Sequence, residues 1–223
     1  MNNIKIFVVN LKRDKYKKDL FIENNSSILG DFEFIEAVDG KKLSLVDAGY
    51  DKNKALRRLG REMSAGEVGC YLSHMMIYQK IINEDIAYAL VLEDDVKVLD
   101  KDICSLVSEV VNKNLWDLFF LYKRGKNRFL IDGVPLGRIG KYIYHIGTRT
   151  VWGTAAYVVT NTAARKLLRY HHDIYVPIDM LGRTWRDRFL NMYYVAPDTI
   201  HEAKELSALE KERRVLVNNA KMK

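Results

Sequence analysis

The chain contains little cysteine and proline and has no long apolar run. Cys70 and Cys104 are the only cysteines among 223 residues, which excludes a disulfide-rich scaffold and favours a reducing, cytoplasmic setting. No apolar stretch approaches the ~18 residues of a membrane-spanning helix, and residues 1–5 show no basic-then-apolar leader. No segment is rich in proline, glycine or serine, so we expect no interdomain linker. These absences predict one domain that spans residues 1–223.

The positive charge is concentrated in one part of the chain. The formal net charge is +7, and seven basic residues lie between Tyr122 and Arg149 against a single acid, Asp132. Such a cluster attracts a nucleotide, a phosphorylated glycan or an anionic membrane face. A solvated loop is the alternative, because runs of charge usually are solvated. We expect no nucleic-acid partner, since neither a recognisable binding motif nor a long basic stripe is present.

Segments with strand-like and helix-like apolar patterns alternate along the chain. We predict strands at 4–10, 32–38, 86–92, 116–121 and 154–159, and helices from about 14, over 66–83, 101–113 and 162–170, and from about Glu202. A polar section at 41–63 is predicted to be irregular. This alternation indicates an α/β fold with a Rossmann-type, mostly parallel central sheet flanked by helices, and a C-terminal helix.

Three consecutive carboxylates, Glu93, Asp94 and Asp95, follow the apolar run 86–92. A strand that ends in three acids directs clustered oxygen atoms into the crevice where open α/β sheets bind ligands. Adjacent carboxylates repel one another unless a cation or a shared proton lies between them. Mg²⁺ and Mn²⁺ prefer oxygen ligands and often keep phosphate oxygens as further ligands. The triplet therefore predicts a metal–diphosphate site, and a solvated acidic turn is the alternative.

The segment from Gly66 to His74 forms the start of the predicted 66–83 helix. Gly66 and Gly69 allow close backbone approach, and the helix start offers free N–H groups to an anion. Ser73 and His74 lie one or two turns further along the helix. A core or capping histidine is an equally good interpretation of His74 alone.

Taken together, these segments resemble glycosyltransferase family 25, the lipooligosaccharide glycosyltransferases of Gram-negative bacteria. The similarity covers roughly residues 4–181 and includes a "GE-x-GC-x-x-SH" run and an "LEDD" strand end. The matching segments, in order, are 7–13, 36–40, 66–74, 89–96, 116–118, 153–158 and 176–179. Several landmarks in the same order are far more specific than any single motif.

The resemblance implies a GT-A fold, a UDP-sugar donor and a bound Mn²⁺ or Mg²⁺. By analogy, residues 1–121 form the nucleotide-sugar-binding half, and residues 122–223 form the acceptor-side half with the C-terminal helix. Metal binding is expected at Asp95 and Glu93, with His201 as a third ligand. The residues expected to bind the donor are Asn10, Leu11, Arg13, Asp39, Gly66, Glu67, Ser73, His74, Glu93 and Asp94.

The resemblance also implies inversion at the anomeric carbon, which requires a general base and no covalent nucleophile. Asp179 is the expected base, and Asp187 is the reserve. The expected reaction moves galactose from UDP-galactose to a lipooligosaccharide or LPS core. UDP-glucose or UDP-N-acetylhexosamine transfer, or a non-catalytic nucleotide- or glycan-binding relative, are the alternatives.

The acceptor side departs from the family in one respect. Tyr122, Lys123 and Arg124 follow the strand at 116–121, where the family has a small or glycine-rich loop. Bulk and charge at this position favour a phosphorylated or lipid A-linked core as acceptor. The basic tail, 203–223, could contact the anionic cytoplasmic face of the inner membrane, or it could pack on the domain.

Overall fold

The computed structural model describes residues 4–113, 116–122, 135–146, 153–170, 173–183, 190–203, 212 and 216–217. The strands in these residues are Lys5–Asn10 (β1), Glu33–Glu36 (β2), Tyr88–Glu93 (β3), Val96–Val98 (β4), Leu118–Phe120 (β5), Pro135–Ile139 (β6), Tyr142–Ile146 (β7), Ala156–Thr160 (β8), Met192–Ala196 (β9) and Ile200–Glu202 (β10). The α-helices are Lys15–Leu29 (α1), Lys52–Leu59 (α2), Ala65–Asn83 (α3), Ile103–Lys113 (α4) and Asn161–Tyr170 (α5). Short 3₁₀ helices cover Gly40–Lys42 and Ile178–Arg183.

Eight of these strands form one sheet in the order β2-β1-β3-β8-β5-β9-β7-β6, and β4 pairs with β10 in a separate ribbon. The predicted α/β class is confirmed. Strands β2, β1 and β3 run parallel, as do β5 and β9, whereas β8 is antiparallel to both β3 and β5. Strands β6, β7 and β9 are joined by antiparallel pairs. The two predicted halves of the chain share this sheet, because β8 lies between β3 and β5.

The core lies on both faces of the sheet. Along β1, Phe7 and Val9 face one apolar cluster with α3, while Ile6 and Val8 face the other with α4. Successive strand residues point to opposite faces, so a strand covered on both sides reads as a continuous apolar run. The apolar run in β3 is buried in the same way. Because β1, β2 and β3 are parallel, their carboxyl ends lie at a common edge of this buried sheet.

Helix α3 begins at a capping box and packs closely on the loop after β2. Ser64 accepts a hydrogen bond from the Glu67 backbone N–H, and the Glu67 side chain accepts one from the Ser64 N–H. A Cβ atom on Gly69 would lie 2.5 Å from the Val38 carbonyl oxygen, and one on Gly40 would lie 1.7 Å from that of Ala65. Glycine at both positions is therefore what lets the helix start approach the loop.

Several elements differ from the sequence-based expectation. The section predicted to be irregular contains α2, which is capped by Asp51 and ends at Gly60 in the left-handed region. Part of the basic segment forms the β6–β7 hairpin, which turns at Gly140 with φ of 53°. Glu202, near which the sequence predicts the start of the C-terminal helix, is instead the last residue of β10 and pairs with β4. The described residues 212 and 216–217 are helical. Most of the chain after residue 203 lies outside the described residues. Within them, none of the helices combines the length and apolar character required to cross a bilayer.

Candidate functional site

An open cleft lies at the carboxyl ends of β1, β2 and β3, beside the N-terminus of α3. It encloses about 750 Å³ of space, part of which is open to solvent. Nine of the residues predicted to bind donor or metal line it: Leu11, Arg13, Asp39, Gly66, Ser73, His74, Glu93, Asp94 and Asp95. The fold therefore gathers residues from four separate sequence segments into one cleft.

Asp94 is held by two side chains from the start of the chain. Asn10 Nδ2 donates to one carboxylate oxygen at 2.8 Å, and Lys17 Nζ lies 3.4 Å from the other. Burial raises the pKa of Asp94, while Lys17 and Asn10 oppose that rise. Asn10 thus acts by positioning Asp94, and it does not itself line the cleft.

Asp95 carries a strongly perturbed carboxyl group. Burial raises its pKa to about 7, and the negative charges of Glu93, Asp94 and Glu202 add to the rise while Lys17 opposes it. Its Oδ1 atom is buried and has no hydrogen-bond partner. A buried, unpaired carboxylate oxygen beside further carboxylates fits a cation ligand, because a bound cation would supply the missing partner and offset the repulsion.

Glu93 points toward a buried polar group beneath the cleft. Thr154 Oγ1 donates to Glu93 Oε1 at 2.5 Å, and His74 Nε2 lies 3.9 Å from the same oxygen. The His74 side chain is fully buried, and its Nδ1 lies 2.7 Å from the Tyr157 hydroxyl. Asp94 and Glu93 therefore face different neighbours: Asp94 faces Asn10 and Lys17, and Glu93 faces Thr154 and His74.

The start of α3 holds a carboxylate from the C-terminal part of the chain. The Gly66 N–H donates to Glu212 Oε2 at 3.2 Å, and Lys41 Nζ lies 3.0 Å from Glu212 Oε1. Burial alone would raise the pKa of Glu212, but hydrogen bonds from Lys41, Ser64 and Gly66 lower it. This corner of the cleft therefore already accommodates an anion, as expected for a helix N-terminus with a nearby lysine.

Three other predicted donor ligands have partners within the protein. Arg13 Nη1 pairs with the Asp39 carboxylate at the rim of the cleft. Ser73 Oγ accepts from the Val38 N–H at 2.9 Å and donates to the Gly69 carbonyl at 2.7 Å, so it ties α3 to the loop after β2. The hydroxyl of Ser73 therefore supports the wall of the cleft.

Glu67 lies outside the cleft lining. It forms a two-pronged ion pair with Arg61, with distances of 2.7 and 2.8 Å, in addition to its part in the capping box. Its side chain is completely buried. These contacts give Glu67 a structural role at the start of α3, where the sequence predicted a donor ligand.

Of the three site residues predicted in the second half of the chain, only Asp179 is described close to the cleft. Asp179 lies in the 3₁₀ helix Ile178–Arg183 and lines a small cavity with Thr154 and Tyr157, next to the main cleft. Asp187 lies outside the described residues. His201 is exposed in the middle of β10, opposite Lys97, and does not line the cleft.

Sequence reasoning missed four residues at the site. Lys17 lies in the first turn of α1, seven residues after Asn10, and a lysine at such a position does not by itself indicate a binding site. Thr154 lies in a segment that was recognised only as a landmark. Glu202 lies where the sequence predicts the start of a helix. In β10 its side chain points to the face opposite that of the exposed His201, and its Oε1 accepts a hydrogen bond from the Tyr122 hydroxyl at 3.1 Å. Glu212 is distant in sequence, and no local pattern links it to Gly66.

Comparison with known proteins identifies a family. The profile described as "Glycosyltransferase family 25 (LPS biosynthesis protein)" matches residues 3–182. The chain is 29% identical over 205 residues to a rat protein named "Probable inactive glycosyltransferase 25 family member 3", covering 86% of this chain and 34% of that protein. It is 27% identical over 176 residues to human "Procollagen galactosyltransferase 2", covering 73% of this chain and 27% of that protein. The chain thus spans about a third of the length of the curated relatives that it matches.

Among solved structures, an active-site mutant of LgtC covers 86% of this chain and 72% of its own, with 13% sequence identity and a TM-score of 0.43.

Proposed function

The chain belongs to glycosyltransferase family 25, and on that premise we propose that it transfers a hexose from a UDP-sugar to a glycan acceptor, using Mn²⁺ or Mg²⁺. The proposed sugar is galactose, the sugar in the name of one relative, procollagen galactosyltransferase 2. The observation that carries the proposal is the buried Asp95 Oδ1 atom, which has no hydrogen-bond partner and lies among further carboxylates.

The donor would lie along the edge formed by β1, β2 and β3. Open α/β sheets bind nucleotides at the carboxyl ends of their parallel strands, and the cleft occupies that edge. Asp94, oriented by Asn10 and Lys17, is the proposed partner of the ribose. The Gly66 N–H and Lys41 are the proposed partners of a phosphate oxygen, because they already contact the carboxylate of Glu212.

The proposed cation site centres on Asp95, with Glu93 as the neighbouring carboxylate. Glu202 supplies a further negative charge to Asp95, so we propose it as an additional ligand in place of the exposed His201. A cation bound there would neutralise the charge that develops on the departing UDP. The surrounding residues bury the acids and keep their charges close together, which favours divalent over monovalent cations.

Asp179 is the proposed general base. It would accept the proton of the acceptor hydroxyl as that oxygen attacks the anomeric carbon and the bond to UDP breaks. Thr154 lines the same cavity as Asp179 and donates a hydrogen bond to Glu93, so this threonine links the proposed base to the acidic triplet. Asp187 stays the reserve candidate for this role.

The proposed acceptor is a lipooligosaccharide or LPS core that carries anionic groups. The basic segment supports this choice, although one of its charges is already paired, since Lys141 Nζ lies 3.1 Å from Asp100 Oδ2. UDP-glucose and UDP-N-acetylhexosamine are the alternative donors. A second candidate function, nucleotide or glycan binding without transfer, is favoured by the rat relative named as probably inactive.

A transfer assay separates these functions. Purified protein is incubated with UDP-galactose, UDP-glucose or a UDP-N-acetylhexosamine, core oligosaccharides and Mn²⁺, and UDP release and glycan mass are followed. We expect galactose transfer that is lost in Asp95→Ala and kept in the exposed-residue control Asp19→Asn. Cation-dependent donor binding without transfer from any donor would favour the non-catalytic function, and the absence of any UDP binding would overturn both.

A further inference from the structure

Three potential metal ligands of different chemistry meet beneath the acidic triplet. Cys70, His74 and Glu93 each offer one ligand atom, and these atoms lie within 4.8 Å of one another. Cys70 and His74 are four residues apart on α3, so they lie on the same face of that helix. Glu93 comes from the end of β3. All three residues line the cleft, so an ion among them would be accessible from it.

His74 points an unpaired nitrogen into this cluster. The residue is fully buried, and its Nε2 atom has no hydrogen-bond partner. The distance from Nε2 to Glu93 Oε1 is 3.9 Å, which is too long for a hydrogen bond. Two zinc–ligand bonds of about 2.0–2.2 Å at a tetrahedral angle hold their ligand atoms about 3.3–3.5 Å apart, so His74 and Glu93 would approach each other by roughly 0.5 Å to share one ion.

The other nitrogen of the His74 ring is held in the manner of a metal-binding histidine. Nδ1 lies 2.7 Å from the Tyr157 hydroxyl, which in turn lies 3.0 Å from the Tyr78 hydroxyl. Burial raises the pKa of both phenols, so they stay protonated. When Nδ1 carries the proton and donates it to Tyr157, Nε2 presents a lone pair to the cluster. Thr154 fixes the carboxylate of Glu93 by donating to Oε1 at 2.5 Å.

We propose that Cys70, His74 and Glu93 bind a transition-metal ion of the Zn²⁺ class, at a site that adjoins the proposed hard-cation site at Asp95 and shares Glu93 with it. Sulfur, imidazole and carboxylate ligands together favour zinc over magnesium, which takes oxygen ligands. Three protein ligands leave the fourth position of a tetrahedral ion open, and a molecule in the cleft that these three residues line would be able to occupy it. The inference goes beyond the proposed transfer reaction and does not depend on it, because the ligand set is independent of the donor sugar.

Cobalt substitution tests this site without any activity measurement. The purified protein is stripped with a chelator and titrated with Co²⁺, whose bond to a thiolate gives near-ultraviolet charge-transfer absorption. We expect this absorption in the wild type, its loss in Cys70→Ser and its retention in Cys104→Ser. Cys104 is the matched control, because it is the other cysteine of the chain and is exposed on α4. The Asp95→Asn variant should keep the absorption, which separates this site from the hard-cation site.

Zinc affinity provides a second readout that tests the histidine. Competition with a chromophoric chelator should show binding in the wild type that is weakened at least tenfold in Cys70→Ser. Tyr157→Phe keeps the ring but removes the partner of His74 Nδ1, so we expect a loss of about 10- to 100-fold in zinc affinity. Matching melting temperatures of the stripped proteins would show that each variant is folded.

Several outcomes would overturn the proposal. One is the absence of thiolate–cobalt absorption in the stripped wild type. A second is absorption that survives in Cys70→Ser or disappears in Cys104→Ser, which would place the thiolate ligand elsewhere. A third is zinc affinity that is unchanged in both Cys70→Ser and Tyr157→Phe. In each of these cases the hard-cation site at Asp95 would still be open to its own test.

Discussion

Replacing Asp95 with asparagine should stabilise the metal-free protein while abolishing its response to divalent cations. The pKa of Asp95 is raised from 3.8 to about 7 by burial and by the charges of Glu93, Asp94 and Glu202. The carboxyl group is therefore more easily ionised in the unfolded chain than in the folded protein. Its ionisation destabilises the fold, and asparagine keeps the size of the side chain without the charge.

The size of the effect follows from proton linkage. The folded protein holds the proton of Asp95 up to higher pH than the unfolded chain does, so the stability contributed by this group is complete below about pH 4 and falls as the pH rises through about 7. At 1.36 kcal/mol per pKa unit, a shift of roughly three units costs at most about 4 kcal/mol at pH 8, and about 2 kcal/mol at pH 5. For a chain of this length, about 4 kcal/mol corresponds to a rise in melting temperature of roughly 8–16 °C.

Thermal unfolding in the presence of a chelator, at pH 4, 5 and 8, measures this effect directly. We expect Asp95→Asn to melt well above the wild type at pH 8 and close to it at pH 4. Asp19→Asn, on the exposed side of α1, should change stability by no more than about 0.5 kcal/mol at any pH. A gain that does not vary with pH, or a loss of stability at pH 8, would refute the assignment of Asp95 as a strained, buried acid.

Three further predictions, one of them with a control substitution, concern the proposed base, the packing of α3 and the start of that helix. Asp179→Asn should lower turnover by about 10²-fold, the usual contribution of a general base, while UDP affinity stays within a few-fold; unchanged turnover in a steady-state assay would reassign the base. Gly69→Ala should destabilise the protein by about 3 kcal/mol or more, because its Cβ would lie 2.5 Å from the Val38 oxygen. Gly60→Ala is the control, because its Cβ would meet open space although φ is 70°, and chemical denaturation should show a loss of only about 1–2 kcal/mol in the free energy of unfolding. Equal losses in the two variants would refute the close approach of α3 to the loop. Glu212→Gln should raise UDP affinity about fivefold in calorimetry, because the neutral side chain would hold the start of α3 about 1 kcal/mol less strongly than the carboxylate that competes with UDP there. Weaker UDP binding in this variant would contradict that competition.

The location of the site was predictable from the sequence, because it follows from a single local rule. A buried apolar run followed directly by Glu93, Asp94 and Asp95 places acids at the carboxyl end of a strand, and β3 has this form. The helix start near Gly66 followed in the same way from the spacing of the two glycines and of the apolar residues after them. Local patterns of this kind are sufficient when a few neighbouring residues determine the backbone.

The direction of each acid was not predictable, because it depends on residues far away in sequence. Asn10 and Lys17 orient Asp94 across 84 and 77 positions, and Thr154 orients Glu93 across 61. No pattern within one strand encodes such contacts. The same reason explains why the sequence suggested a helix near Glu202, where pairing with β4 outweighs the local preference for helix.

The measurement that tests the central claim most directly is a thermal-shift titration with UDP, with and without Mn²⁺, on the wild type and on Asp95→Ala. A ligand at ~1 mM that binds a site with a dissociation constant of ~10 μM adds about 2.7 kcal/mol to stability, which raises the melting temperature of a chain of this size by roughly 5–11 °C. GDP, CDP and ADP serve as controls for recognition of the nucleobase. We predict a shift for UDP that requires Mn²⁺ and disappears in Asp95→Ala. A UDP shift of the same size without Mn²⁺, or one retained in Asp95→Ala, would contradict a cation site at the acidic triplet, and no shift with any nucleotide would contradict a donor site in this cleft.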